Sequence, residues 1–283
     1  MKLVKQSFEI LEQTDFSLKG IKQFIERCGR VCYKSEDRIT DTSYEKFVDM
    51  LIKKDHARPL EFGTVHLKTK SSNFQGFMQA LYAEGIFNDV WIKSNYNEEV
   101  VYTTTNYRYY LDMIKRIPFI KNYFTEEDNE YYPKRYTVHM ILSRGVMDEF
   151  RTHVTLSHLA ESTRYCAYNK DRFNNELTFI KPDWLSDGDI IDYKEKNEHH
   201  PYFAMLKREE QDYLTLTNNG WTPQQAREVL PLSVKSELIS CGFRDAWDNF
   251  FYRRCAKDAH PMAREIATSL EDKFKEMGMS FVY

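Results

Sequence analysis

Two aromatic-rich helical stripes follow one another near the C-terminus, and they constrain the fold more than any other stretch. Within residues 243–257, Trp247, Phe250, Phe251 and Arg254 recur at i, i+3, i+4 and i+7, which is one face of a helix. Ile266, Leu270, Phe274 and Met277 occupy one face of a second helix over 262–277. Both stripes need a partner surface to bury them. Helical spacing also marks residues 18–34 (Leu18, Ile21, Ile25, Cys28, Val31) and 42–54 (Tyr44, Phe47, Met50, Leu51). Residues 73–84, 147–153 and 202–217 read as helices too. Strict alternation predicts strands at Thr64–Lys68 and Tyr136–Leu142.

The punctuation is local. His56 to Glu61 breaks the second helix, and Asn218-Asn219-Gly220 stops the one at 202–217. Thr222-Pro223 supplies an N-cap and a first-position proline, and Pro231 limits that helix to about two turns. Residues 94–135, rich in Tyr, Asn and charge, give no clear period. Residues 169–200, with Pro182 and Gly188, read as a polar surface excursion. No repeat or low-complexity linker divides residues 1–283, so one domain is expected. Helices interleaved with non-consecutive strands predict an α+β fold, with helices packed on a mostly antiparallel sheet.

Charge narrows the partners. A net charge of −3 over 283 residues predicts no nucleic-acid polymer and no anionic membrane. No apolar run approaches the ~18 residues of a membrane span, so the expected compartment is the cytoplasm. The five cysteines (Cys28, Cys32, Cys166, Cys241, Cys255) are scattered without a zinc-site spacing, and reduced, buried thiols are expected. His199-His200 lies in the polar excursion and reads as solvated. No metal-binding histidine motif and no phosphate-binding glycine loop is present.

Chemistry concentrates between Ser157 and Tyr168. Ser162, Thr163 and Arg164 offer hydroxyls and a guanidinium fork suited to a phosphate or carboxylate, and Glu161 offers an acceptor for a ligand donor. A polar surface turn explains the same residue types equally well. Arg254 and Arg227 pose a similar choice between a cation held for a ligand and an internal salt bridge. His153 suits proton exchange or a structural hydrogen bond.

The run Glu161-Ser162-Thr163-Arg164-Tyr165-Cys166-x-Tyr168 resembles the nucleotide-binding signature of flavin-dependent thymidylate synthases. Ser157 keeps the five-residue spacing to Ser162. His153 matches the centre of the family's Arg-His-Arg triplet, whose arginines are replaced by Thr152 and Val154. Arg144-Gly145-Val146 and Glu149 resemble the lead-in. Arg227-x-x-Leu230-Pro231, Arg254 behind Phe250-Phe251, and Ala259-His260-Pro261-x-x-Arg264-Glu265-Ile266-Ala267 extend the likeness at matching spacing. Asn106-Tyr107-Arg108 resembles a family segment that opens a helix. Arg58-Pro59-Leu60-Glu61-Phe62-x-Thr64 resembles the Pro-Leu-Glu-His segment, with Phe62 in place of its His. Phe243 replaces an Asn, and Asp245 stands where an Arg is usual, beside Arg244. The resemblance covers roughly residues 50–170 and 222–270.

It implies methylation of dUMP to dTMP, with FAD as cofactor and methylenetetrahydrofolate and NADPH as co-substrates, by a homotetramer with active sites between subunits. Glu149, Glu161, Ser162, Thr163, Arg164, Arg227 and Arg254 would bind the nucleotide, with Arg254 catalytic. Thr64, His153 and Asn249 would approach the FAD. Changes on the flavin side (Phe62, Thr152, Val154, Phe243) leave two alternatives open. One is flavin-dependent hydroxymethylation of dUMP or dCMP, and the other is a nucleotide-binding paralogue without catalysis.

Overall fold

A computed structural model describes residues 1–164, 166–168, 174–187 and 200–281. A four-stranded antiparallel sheet lies at its centre, ordered β2 (Ser7–Leu11), β7 (Arg135–Ser143), β10 (Lys235–Phe243) and β8 (Ser157–Ala160). A second antiparallel sheet is ordered β4 (Ile92–Asn97), β5 (Val100–Asn106), β3 (Thr64–Lys70) and β6 (Phe124–Thr125). The remaining strands, β1 (Lys2–Val4) and β9 (Thr178–Ile180), pair in parallel. The α+β architecture with antiparallel sheets agrees with the sequence reading.

Side chains alternate across a strand, and in the central sheet both faces are covered. One face carries Val138, Met140, Leu142 and Leu238, packed with Trp247, Phe250, Phe251, Ile266, Leu270 and Phe274. Those aromatics belong to α8 (Arg244–Arg254) and α9 (Pro261–Glu276), so the two C-terminal stripes find their partner here. The opposite face carries Leu11, Leu159, Ile239 and Cys241, packed with Phe24, Cys28 and Val31 of α1 (Leu18–Val31) and with Phe62. A strand buried on both faces has no apolar–polar alternation, which is why β10 carries no strand signal in the sequence. The second sheet has its own core with α2 (Ser43–Lys53), α3 (Ser71–Ala83) and α4 (Tyr107–Arg116).

Local signals act where expected. Asn106 accepts a 2.9 Å bond from the Tyr109 amide and opens α4. The helix α6 (Pro201–Asn218) ends before Gly220, whose φ of +89° suits glycine. Thr222 and Gln225 form a capping box on the short α7 (Pro223–Ala226). The reading of 169–200 as a surface excursion is corrected for its described middle. Leu177, Phe179 and Ile180 are buried, because β9 inserts beside β1 and packs into a cluster with Leu206, Tyr213 and Val234. Residues 169–173 and 188–199, including His199, lie outside the described residues, as does Tyr165.

Candidate functional site

The candidate residues separate into three polar groups. The first forms where α5 (Arg144–Phe150) and α8 end side by side. Arg254 Nη1 donates to Glu149 Oε2 at 2.7 Å, and Nη2 donates to the Glu149 carbonyl at 2.6 Å and to Thr152 Oγ1 at 3.0 Å. Arg254 Nε donates to His153 Nε2 at 2.8 Å. A guanidinium has five N–H donors and no acceptor. These four bonds therefore leave one N–H, on Nη1, without a partner among the described residues. The arginine is both salt-bridged and still able to donate.

The same bond fixes the histidine tautomer. Arg254 Nε can only donate, so His153 Nε2 is the acceptor and Nδ1 carries the proton. Burial, then the positive charge of Arg254, pushes the His153 pKa down to about 4. The ring packs against Phe250 at 5.0 Å between centroids. His158 supports the turn from below: its Nε2 donates to the His153 carbonyl at 2.9 Å, and its Nδ1 lies 2.9 Å from the Ser240 hydroxyl. Burial pushes the His158 pKa down to about 4 as well. A cleft of about 450 Å³ opens over this group, lined by Thr152, His153, Val154, Asn249, Arg253 and Arg254.

The second group lies where β8 runs into the Ser162 turn. Glu161 is 1% exposed and directed inward, its Oε2 accepting from Lys235 Nζ at 2.8 Å and its Oε1 from the Tyr168 hydroxyl at 3.2 Å. Its carboxylate is thus committed to the protein, where the sequence suggested an acceptor for a ligand. Thr163 is buried and Arg164 exposed, and the Arg164 amide donates to Ser162 Oγ at 3.4 Å. Arg227 begins the turn after α7, 3.4 Å from Glu228. Its neighbours Ala226, Val229 and Leu230 join Cys166 and Tyr168 in one apolar cluster, so Arg227 belongs to this end of the molecule.

Thr64 sits in a third group. Its hydroxyl accepts from Arg135 Nη1 at 3.2 Å, and Arg135 Nη2 donates to the Glu61 carbonyl at 2.6 Å. The Glu61 side chain is fully buried and accepts from Arg108 at 2.5 Å, Ser157 Oγ at 2.6 Å and Arg58 at 3.0 Å. Phe62 points into the core beneath α1. Thr64 lines a different cleft, of about 430 Å³, together with His66, Asp128 and Arg135.

Strand β8 separates these groups. His158 faces Ser240 on the α8 side, whereas Ser157 and Leu159 point to the α1 side with Cys241 and Ile239. The structure brings together Glu149, His153, Asn249 and Arg254, and separately Glu161, Ser162, Thr163, Arg164 and Arg227. Neither the cleft over Arg254 nor the one at Thr64 joins the two sets among the described residues, and Thr64 stands apart from both. Sequence reasoning missed Lys235, Glu237, His139 and Lys34 as a network, and Glu61 as a buried hub. The one available signal was Lys235 and Glu237 two residues apart, on the strand face that continues as Ile239, Cys241 and Phe243.

Residues 134–277, from the start of β7 through α9, match the family model described as thymidylate synthase complementing protein. The class so defined is that of flavin-dependent enzymes that methylate pyrimidine nucleotides. The match spans just over half of the 283 residues, and the chain belongs to the flavin-dependent thymidylate synthase family. No curated protein matches it. Among solved structures, the UMP/dUMP methylase PolB from Streptomyces cacaoi bound with 5-Br dUMP is similar at 15% identity, covering 98% of this chain and 93% of that one, with a TM-score of 0.43. The same enzyme bound with 5-Br UMP gives 13% identity, 98% and 92% coverage, and a TM-score of 0.44.

The donor set around Arg254 fits one end of a flavin. Val154 is 88% exposed and offers an apolar surface, flanked by a neutral imidazole, the Asn249 amide and the Arg253 guanidinium. Thr155 Oγ1 is buried there without a hydrogen-bond partner among the described residues. A flat ring carrying carbonyl and imide groups can use such an apolar face with donors at its edge.

Proposed function

We propose that the protein methylates dUMP to dTMP, with FAD as cofactor and methylenetetrahydrofolate and NADPH as co-substrates. The observation that carries this reading is Arg254, anchored on Glu149 with one N–H to spare, inside the segment that matches the family. That N–H would meet negative charge as it develops on the pyrimidine ring, and the Glu149 and Thr152 contacts keep the guanidinium from reorienting. His153 stays neutral near pH 7, holding its proton at Nδ1 and accepting from Arg254 at Nε2. Ser162, Arg164 and Arg227 would hold the phosphate and sugar, with Thr163 supporting their turn. His153, Asn249 and Val154 would hold the flavin ring, with Thr64 contributing from its separate cleft. When bound, FAD supplies the hydride that completes the methyl group, and NADPH restores its reduced form.

The family resemblance implies a homotetramer, and the division of the candidate residues over two faces of β8 is compatible with a site shared between copies. In such an assembly each chain, as a single domain in the cytoplasm, would lend one residue set to a site completed by another copy.

A second reading is favoured by Val154 and Thr152 on the flavin side, where two cations would otherwise stand. With hydride delivery weakened there, water would end the one-carbon transfer and give a hydroxymethyl pyrimidine nucleotide, from dUMP or dCMP. Mass spectrometry of the product formed from dUMP, methylenetetrahydrofolate and NADPH separates the two readings. A product heavier than dUMP by one CH₂ supports methylation, and one heavier by CH₂O overturns it. A colourless protein that takes up no FAD would overturn both, leaving a nucleotide-binding paralogue.

A further inference from the structure

We propose that Lys235 is a positioning residue for the phosphate grip, acting through Glu161 to fix the turn that carries Ser162 and Arg164. The inference rests on the nucleotide reading above and assigns a role to a side chain outside the proposed contact set. Lys235 opens β10 and is 15% exposed, with Nζ bonded to Glu161 Oε2 at 2.8 Å and to Glu237 Oε1 at 2.6 Å. Glu237 is held in turn by Lys34 at 2.8 Å and by His139 Nε2 at 2.8 Å. Two lysines thus face two buried carboxylates, and Lys34 also bonds the more exposed Glu36 at 2.9 Å. Lys34 reaches the group from the end of α1, at a φ of +48° that ordinary side chains seldom adopt.

Backbone bonds tie the turn to the same place. The Glu161 amide donates to the Glu237 carbonyl at 2.8 Å, and the Ser162 amide donates to the Cys32 carbonyl at 3.0 Å. With both Glu161 oxygens occupied, the first residue of the turn is fixed in position and in side-chain direction. Ser162 and Arg164 then project from a fixed origin. Stability alone does not call for this arrangement, because apolar residues of similar volume commonly serve as well as a buried ion pair. Ion pairs with hydrogen bonds at each oxygen supply direction, which a phosphate grip needs.

The test uses the FAD-loaded protein and calorimetric titration with dUMP and with deoxyuridine, which lacks the phosphate. In Lys235→Met the dissociation constant for dUMP should rise by about tenfold or more while that for deoxyuridine changes by less than about twofold. Lys235→Arg, which keeps the cation, should restore dUMP affinity to within about threefold of the wild type. Should Lys235→Met fail to fold, the charge-balanced pair Lys235→Met with Glu161→Gln retains Lys34, Glu237 and His139 as a paired set. It should lose dUMP affinity in the same selective way. Unchanged dUMP affinity in these variants, or equal loss for dUMP and deoxyuridine, overturns the positioning role. A wild-type protein that binds no pyrimidine nucleotide would instead overturn the function on which the role rests.

Discussion

Two polar groups flank the same short strand, and they handle charge in opposite ways. Around Lys235 the charges are matched: Lys34 and Lys235 face Glu161 and Glu237. Burial acts against ionisation of Glu237, but the His139 hydrogen bond and the two lysines outweigh it and lower its pKa. Burial likewise opposes the Lys235 cation, and Glu161 and Glu237 outweigh it. Around Arg254 the guanidinium, paired with Glu149 and near Arg253, stands beside histidines that burial keeps neutral. Matched charges suit a fixed anchor. A cation with one donor to spare, next to neutral imidazoles, suits a place where charge appears during a reaction.

The largest expected effect breaks the anchor. Glu237→Ala leaves two lysines without their shared acceptor and should cost about 3–5 kcal/mol of stability, read by chemical denaturation. An effect under about 1 kcal/mol would mean that the network is not the anchor its geometry suggests. Next, Arg254→Ala should reduce turnover by about 10²–10³-fold. Its melting temperature should stay within a few degrees of the wild type, since Glu149 is 35% exposed and can hydrate. Near-normal turnover would remove Arg254 from the chemistry.

Acid should separate the two groups. His153 and His158, at about 4 in the folded protein, bind protons more readily when unfolded, near the ordinary 6.5. Their neutral forms therefore favour folding above about pH 6.5, and each should forfeit about 2–3 kcal/mol as the pH falls toward 4. Glu237, with its pKa lowered, contributes above its ordinary value of 4.5 and loses that contribution only at lower pH. Stability curves should therefore show a first loss from the histidine side, and His158→Asn should flatten it. An unchanged slope between pH 6.5 and 4 in that variant would discount His158. The smallest effect is Ser240→Ala, which removes the hydroxyl facing His158 Nδ1 and should cost about 1 kcal/mol with binding of dUMP unaltered. A marked loss of dUMP affinity there would show that the two faces of β8 are coupled.

How legible each part was follows from its geometry. The helices Leu18–Val31, Ser43–Lys53, Arg244–Arg254 and Pro261–Glu276 were readable because each buries one side in an apolar core and leaves the other wet. Strand β10 was not, since helices cover both of its faces and its two charges are paired inside the protein. The 94–135 segment hid β5 because Thr103, Thr104 and Thr105 are fully buried polar residues. Among the candidate residues, the short motifs at 157–168 and 227–254 were visible by type and spacing. Which of them meet was not, because Glu149 and Arg254 lie 105 positions apart.

The sequence by itself determined the family, the helical faces that need covering, and the arginines and hydroxyls available for a nucleotide. Periodicity and motif spacing are local properties, so the chain carries them unfolded. Only the tertiary structure decided that Glu161 turns inward to Lys235, that Arg254 keeps one N–H beyond its bonds to Glu149, Thr152 and His153, and that β8 holds these two groups on opposite faces. Those outcomes depend on strand register and on which charges share a buried space, and residues far apart in the chain settle both.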